Sequence, residues 1–490
     1  MKVGRNDPCP CGKLKSDGNP MKYKHCCLIR NEQENPKILK KQPMQVRFSR
    51  RDLIHGPYKQ CPNPKCLDPR SFGVFVVTGS SGGYSRECTR CGFSKGYAFP
   101  EIKKSIVYLD QFVISNLVKL LDRSHKSHEK IKADPFWKNL FIKLEGALKS
   151  QAIICPDSFY HRDESLAESK DFKLMKRLYE HFSNGKTLHM SHQIEQMQIT
   201  EHFANWLSGQ KTVFDFDPSK IVSEDLNDWS VGIRVGVNMR PFPGEVEKIK
   251  NLNFKTKEQL KSLWSVWQNK RDFEFLKQVK EETGGLWENL IGQAVKFEQR
   301  RGQLMAKVAS GEKYDFELDD FLPPPSNSLL DELFRISKRQ GIPEGKILVT
   351  IMRYFKDIET LLEIPKIRIS SVMFASLARS ANLGKKEAPK SLTDTGFISS
   401  YLPYCDAMFL DKESAIILRE TPKGIPVKLR LKEFNTKIFS LKNKEEFLDY
   451  LDELKNGIPK EQINILKDVG GENYDKPFWS IIEHEKIEKD

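Results

Sequence analysis

Eight of the ten cysteines of this 490-residue chain fall within its first 100 residues, and they fall in pairs. Paired thiols at short spacing restrict a small segment to disulfide staples or tetrahedral metal sites. The later group is Cys61-x4-Cys66, then 21 residues, then Cys88-x2-Cys91-Gly92. Between the pairs lies an apolar β-type run, Phe72–Val77, followed by a turn rich in glycine and serine around Gly79, Gly82 and Gly83. Two knuckles joined by a hairpin describe a zinc ribbon over residues 55–100, with the metal replacing a core too small to fold alone. The earlier group is Cys9, Cys11, Cys26 and Cys27, within residues 1–32, and His25 competes for the fourth position. Two structural Zn2+ sites are therefore expected, in a reducing compartment.

The stretches GRNDPCPCG and KYKHCC of that earlier group closely resemble the SEC-C motif, a small zinc-binding module first described at the C-terminus of the preprotein translocase motor. The chain departs from the motif in the loop KLKSDGNPM, which is longer than the usual turn.

Charge is distributed as unevenly as cysteine. Lys and Arg total 80 against 66 Asp and Glu, a net +14, and the first 100 residues carry 19 basic and 7 acidic residues, so +12 of that excess is N-terminal. The remaining 390 residues sum to +2. Residues 33–54 form a basic linker in which Lys37, Lys40, Lys41, Arg47, Arg50 and Arg51 occur with no acid from Pro36 to Arg51. Such a run suits contact with phosphates, although charge runs also serve simply as solvated surface. A hydrophobic content of 39% with 30% charged residues is that of a globular protein, and no apolar run approaches the ~18–20 residues of a membrane span. The N-terminal MKVGRNDPCPCG has no apolar stretch of the kind secretion signals carry, so a cytoplasmic protein with no membrane partner is expected.

From Ser105 the pattern changes to strands alternating with helices. Ile106–Leu109 is an apolar strand running into Asp110, and Gln111–Val118 follows at helical period. Ala152–Cys155 runs into Pro156 and a helix that places Glu164 and Glu168 one turn apart. Asp394 heads another helix, Ala407–Leu410 is a short strand ending at Asp411, and a final β-α pair spans Lys437–Ser440 and Glu445–Leu454. This order predicts an α/β fold with a mainly parallel sheet flanked by helices. Ligands of such sheets sit at the carboxyl ends of strands, where Asp110 and Asp411 both lie. Carboxylates crowded together repel one another unless a hard divalent cation, Mg2+ or Mn2+, neutralises them.

The segments IVYLDQFVISNL, PDSFYHRDESL, DTGFISSYLPYCDAMFLDK and KIFSLKNKEEFLDYLDEL together resemble the PIN domain, a metal-dependent nuclease fold of the PIN/FEN group. The resemblance covers about 140 residues, and it implies a catalytic set of Asp110, Glu164, Asp394 and Asp411. Glu168 is the fallback for Glu164, and Ser115 matches a small hydroxyl often found after the first acid. Asp406 is an auxiliary candidate that can instead brace its loop. The implied activity is Mg2+- or Mn2+-dependent hydrolysis of phosphodiesters, with single-stranded RNA favoured over DNA because the family leans that way. The alternative is a catalytically inert zinc-scaffolded adaptor that docks nucleic acid, ribosome or protein through its N-terminal modules.

The PIN-like core is expected in two parts, residues 101–182 and 387–456, followed by a C-terminal tail over 457–490. Between them 183–386 reads as a helical insertion docked beside the acidic cleft, where it can act as lid, substrate ruler or partner platform. Helical periodicity marks Gln193–Trp206, Thr256–Val279, Leu286–Ala309, Ser328–Arg339 and Lys346–Leu362. Trp264, Trp267 and Trp287 are read as core anchors, and Cys155 and Cys405 as buried thiols. His189, His192 and His202 are spaced for surface or core roles, not as a metal cluster. No Walker loop, dinucleotide fingerprint or Gly-x-Ser-x-Gly elbow occurs.

Overall fold

The structure is a computed structural model that describes residues 9, 11, 19–22, 50–75, 82–168, 171–229, 244–311, 322–386, 388, 393–419 and 429–481. Cys26, Cys27, His25, Lys37, Lys40, Lys41 and Arg47 lie outside the described residues, as does the side chain of Glu168. The chain divides into two compact units, one of residues 1–75 with 86–94 and the other of residues 76–85 with 95–490.

The first unit carries the ribbon cysteines. Within it β1 (His55–Lys59) pairs antiparallel with β2 (Phe72–Phe75); β3 (Gly83–Cys88) and β4 (Ser94–Ala98) follow in the chain, and Cys88 ends β3. Gly73 on β2 lets Ile54 and Tyr58 approach so closely that a Cβ there would lie 2.5 Å from Ile54 Cγ2 and 2.6 Å from Tyr58 Cε1. Arg50 and Arg51 open a short 3-10 turn, Arg50–Leu53, with Arg51 exposed.

The second unit is α/β. Its sheet has the order β6-β5-β7-β8, with β5 (Ser105–Leu109), β6 (Ile153–Ile154), β7 (Ala407–Phe409) and β8 (Lys437–Phe439) all parallel. The register sets Val107 against Ala407, Leu109 against Phe409, and Phe409 against Phe439. Side chains alternate across the sheet, so each face builds its own core. Val107, Leu109 and Phe409 pack with helices Gln111–Leu121, Pro135–Lys149 and Lys444–Asn456 on one side. Ile106, Tyr108 and Met408 pack with Phe397, Tyr401 and Val372 on the other. A strand buried on both faces reads as a continuous apolar run, and that is how Ile106–Leu109 reads in sequence.

The insertion is helical. Two of its expected helices divide. In place of one helix over Thr256–Val279 there are two, Glu245–Gln268 and Phe275–Gly284, because Asn382 Nδ2 donates to the carbonyls of Trp267 (3.3 Å) and Lys270 (2.6 Å) and closes the first helix. The stretch Lys346–Leu362 breaks at Asp357, whose side chain accepts from Thr360 N and caps a new turn, Ile358–Leu361. A further helix, Pro365–Asn382, has no counterpart in the sequence reading. It is buried on most of its circumference, including Ile367, Ile369, Val372, Ala375 and Ala378, so it lacks the polar face that periodicity detects. Trp264 and Trp267 are core anchors against Leu377, Ala378 and Ala381, and Trp287 packs on Phe355. Cys155 and Cys405 are buried. Residues expected as a C-terminal tail include the helix Lys460–Gly470 and dock on the sheet's helices, where Trp479 lies 4.8 Å from the Phe141 ring and Ile481 is buried. No helix among the described residues is long and apolar enough to cross a membrane.

Candidate metal centres and acidic cleft

In the ribbon, Cys61, Cys66, Cys88 and Cys91 offer sulfurs that all lie within 4.8 Å of one another, an arrangement that could hold a metal ion such as zinc. Two chain turns present them in pairs. In the first, Cys66 N and Leu67 N both donate to Asn63 O; in the second, Gly92 N donates to Cys88 O, with Gly92 at φ +74°. That left-handed conformation is what glycine after the second thiol permits. Around the sulfurs, Ser71 Oγ lies 3.0 Å from Cys88 Sγ, Cys91 N donates to Cys88 Sγ (3.4 Å), and Asn63 Nδ2 donates to Cys91 Sγ (3.6 Å). Such outer contacts orient metal-binding thiolates. In the other predicted cluster, Cys9 and Cys11 are 3.3 Å apart through their sulfurs.

The four predicted acids, drawn from four separated stretches of sequence, line one cleft of about 1880 Å3 in the second unit. Parallel strands deliver two of them. β5 ends at Leu109 and β7 at Phe409, so Asp110 and Asp411 emerge just beyond neighbouring strand ends. Asp110 occupies the cap position of helix Gln111–Leu121 without capping it. Its Oδ2 instead accepts from Asp411 N (3.3 Å). Asp411 Oδ1 accepts from Glu413 N (2.7 Å) and Ser414 N (3.2 Å) at the start of helix Lys412–Arg419, whereas Oδ2 is buried with no hydrogen-bond partner.

Glu164 comes from helix Phe159–Glu168. The amide orientation of Gln111 that satisfies both sides lets its nitrogen donate to Glu164 Oε2 (2.9 Å) and its oxygen accept from Ser165 N (3.1 Å). Asp394 stands in the first turn of helix Thr393–Tyr401, inside the helix and not at its cap. That helix approaches Phe159–Glu168 at Gly396, where a Cβ would lie 2.7 Å from Tyr160 Oη. Any side chain at 396 would have to push the Tyr160 hydroxyl aside.

The electrostatics follow from this crowding. Burial, then the charge of Asp411, lifts the Asp110 carboxyl to about 6. Burial, followed by the charges of Asp110, Asp411 and Glu164, lifts Asp394 to about 8. Three of the four acids stand at helix N-termini, whose positive dipole ends favour negative charge and offset part of the repulsion. The donor set is all oxygen, and Asp411 Oδ2 is an orphaned buried acceptor, so the residues present fit a hard divalent cation. Among the described residues, however, only the ribbon cysteines bring three or more ligand atoms within 4.8 Å of one another; the carboxylates share a cleft without closing that tightly.

Other predicted residues separate. Ser115 lines the cleft. Asp406 does not: it lies at the opposite end of β7, where Oδ2 accepts from Ile106 N (2.7 Å) and its backbone bonds Ile106 and Lys437, so it braces the entry of the sheet. His161 is buried between the rings of Tyr108 and Tyr179, with Nδ1 3.2 Å from Asp157 Oδ1. His202 is held by Tyr354 Oη (2.9 Å), and no histidine among the described residues belongs to a metal-binding group.

Sequence reasoning overlooked Gln111 and the lysines of the cleft, Lys119, Lys126, Lys257, Lys261 and Lys385. It looked for phosphate contact in the N-terminal linker and at His161, which also suits a capping role. A signal existed in helix Glu245–Gln268, whose inward positions Val246, Ile249, Leu260, Trp264 and Trp267 are apolar while Asn253 and Thr256 between them are polar. The chain matches no protein-family model, and comparison with curated proteins and with solved structures yields no match.

Proposed function

We propose that the chain is a Mg2+- or Mn2+-dependent PIN-like nuclease that hydrolyses phosphodiester bonds, with RNA favoured over DNA. The observation that carries this reading is the meeting of Asp110, Glu164, Asp394 and Asp411 in one cleft at the carboxyl ends of parallel strands, with Asp411 Oδ2 buried and unsatisfied. Carboxylates that serve only as caps or surface charge have no need to converge from positions 110, 164, 394 and 411.

Bound by these four side chains, the cation would supply positive charge that activates a water and stabilises the phosphate oxygens during in-line displacement. The protein's part is to hold the donors rigidly. Asp110 Oδ2 is fixed by Asp411 N, Asp411 Oδ1 by two helix amides, and Glu164 by Gln111. Donors seated on strand ends and helix N-termini need little reorganisation when charge develops. The N-termini of Gln111–Leu121 and Lys412–Arg419 also favour an anion beside the acids. No side-chain nucleophile is needed. The zinc ribbon, the SEC-C-like cysteines and the basic linker serve to present nucleic acid or to dock a partner.

The test is cleavage of end-labelled single-stranded RNA and DNA by the full chain with and without Mg2+ or Mn2+. Asp110→Asn with Asp411→Asn is expected to lower the rate about a hundredfold or more. Undiminished cleavage in the double variant overturns the site, and a wild type that binds both polymers yet cuts neither supports the adaptor reading.

A further inference from the structure

Helix Glu245–Gln268 belongs to the insertion, yet it lines the acidic cleft. Its C-terminal half is anchored by Leu260, Trp264 and Trp267, all at most 4% exposed, against helix Pro365–Asn382. It also packs on Phe159–Glu168, the helix that carries Glu164. The anchoring stripe turns polar at Asn253 and Thr256, and beside them Phe254, Lys257 and Lys261 line the cleft. Phe254, Lys257 and Lys261 are spaced i, i+3 and i+7, which sets them along one helical face. Isolated exposed apolar side chains are ordinary on a protein surface. Phe254 differs by position: 66% of it is exposed, within a cleft lined by eight carboxylates, the four predicted acids among them, and by Lys257 and Lys261 on its own helix, the latter paired with Glu258 (2.7 Å).

We propose that this face is a nucleic-acid clamp in which Phe254 stacks on one base while Lys257 and Lys261 hold the adjoining phosphates. An aromatic ring flanked by cations matches the two parts of a single strand, flat bases and a regular line of negative charge. The occupant is a single strand because a paired base keeps its faces covered by its neighbours. The cleft as a whole is acidic, so it is the two lysines beside the ring that select phosphates, with a phosphate replacing Glu258 as the partner of Lys261, and the exposed ring that selects planar groups. The inference rests on the nuclease reading for where the strand leads, namely across the acids. It extends that reading to a segment that lies outside the PIN-like stretches.

The experiment is fluorescence anisotropy of a labelled oligouridylate with the full chain in buffer free of Mg2+ and Mn2+, where nothing is cut. Phe254→Ala is expected to weaken binding about tenfold to a hundredfold, the range for loss of one stacked base. Phe254→Tyr, which keeps the ring, is expected to bind as wild type. Lys257→Ala with Lys261→Ala is expected to flatten the dependence of log K on log salt by about 1.4, or ~0.7 for each phosphate released. Unchanged affinity in Phe254→Ala, equal losses in the Ala and Tyr variants, an unchanged salt slope, or displacement by an acidic peptide as readily as by oligouridylate would each overturn the clamp. The two readings fail separately. A wild type that cuts RNA while Phe254→Ala leaves both binding and KM unaltered removes the clamp and keeps the nuclease. Losses of binding as stated, with a wild type that never cuts, remove the nuclease and keep the clamp.

Discussion

Replacing Asp394 by Asn is expected to make the protein more stable and less able to respond to divalent cations. Asp394 is half-buried and shares its cleft with Asp110, Asp411 and Glu164, which together with burial lift its carboxyl to about 8. An aspartate in the unfolded chain titrates near 3.9. Between about pH 4 and pH 8 the folded chain therefore holds a proton that the unfolded chain has lost. Stability from this group then falls as pH rises through that window and levels off above the folded value. A shift from 3.9 to about 8 corresponds to about 5–6 kcal/mol at ~1.4 kcal/mol per unit if nothing screens it. The cleft is open to water, and screening reduces the expected penalty to about 2 kcal/mol. Asn matches the protonated acid in shape and cannot ionise. Urea unfolding of wild type and Asp394→Asn, in zinc-loaded protein and buffer stripped of Mg2+ and Mn2+, should give a higher midpoint for the variant at pH 8.5 and a gap that narrows as pH falls toward about 4. Adding Mg2+ at pH 8.5 should raise the wild-type midpoint and close the gap. A variant no more stable than wild type at pH 8.5, or one stabilised by Mg2+ as much as wild type, would refute the argument that crowded charge strains this cleft.

Three further outcomes are expected. Cys88→Ser should remove one zinc per chain by elemental analysis and expose the Phe72–Phe75 amides to hydrogen exchange, because the ribbon has a small core of its own. Gly396→Ala should cost about 1–3 kcal/mol in urea unfolding by pushing Tyr160 away from helix Thr393–Tyr401, and the double variant with Tyr160→Phe, which lacks the colliding hydroxyl, should recover part of the loss. Glu145, whose side chain is fully buried, is lifted by burial but brought below the usual carboxylate range by the His181 hydrogen bond (2.5 Å) and charge and by Phe478 N (3.0 Å). Its stabilisation is present above about pH 4.3 and lost as pH falls through the lowered value, so Glu145→Gln should lose about 1–3 kcal/mol at pH 7 and approach wild type near pH 3.

The legible parts of this chain were those governed by local pattern. Ile106–Leu109 and Ala407–Leu410 read as buried strands because nothing but apolar residues can lie between two helical layers, and their terminal acids marked the cleft at once. Cys61, Cys66, Cys88 and Cys91 were legible because metal geometry constrains spacing more tightly than packing does. What stayed hidden depends on partners remote in sequence. Helix Pro365–Asn382 lacks a polar face because it is the centre of its own neighbourhood. The end of Glu245–Gln268 is set by Asn382, more than 100 residues away. Asp406 and Asp411 look alike as acids flanking β7, and only the register of β5 shows that one seals the entry of the sheet while the other faces the cleft. The lysines on Glu245–Gln268 gained meaning only when the helix was placed beside the acids.

The pairing of β5 with β7 also has a consequence in time. Asp110 and Asp411 are 301 residues apart, and β7 is the strand that brings the second beside the first. At about 5–20 residues per second of synthesis, roughly 15–60 s separate their appearance at the ribosome. Until β7 is made, β5 has at most the two-residue β6 beside it, and the cleft lacks at least one of its four acids. The RNA cleavage proposed above would, by this topology, have to wait until translation of the chain is nearly complete.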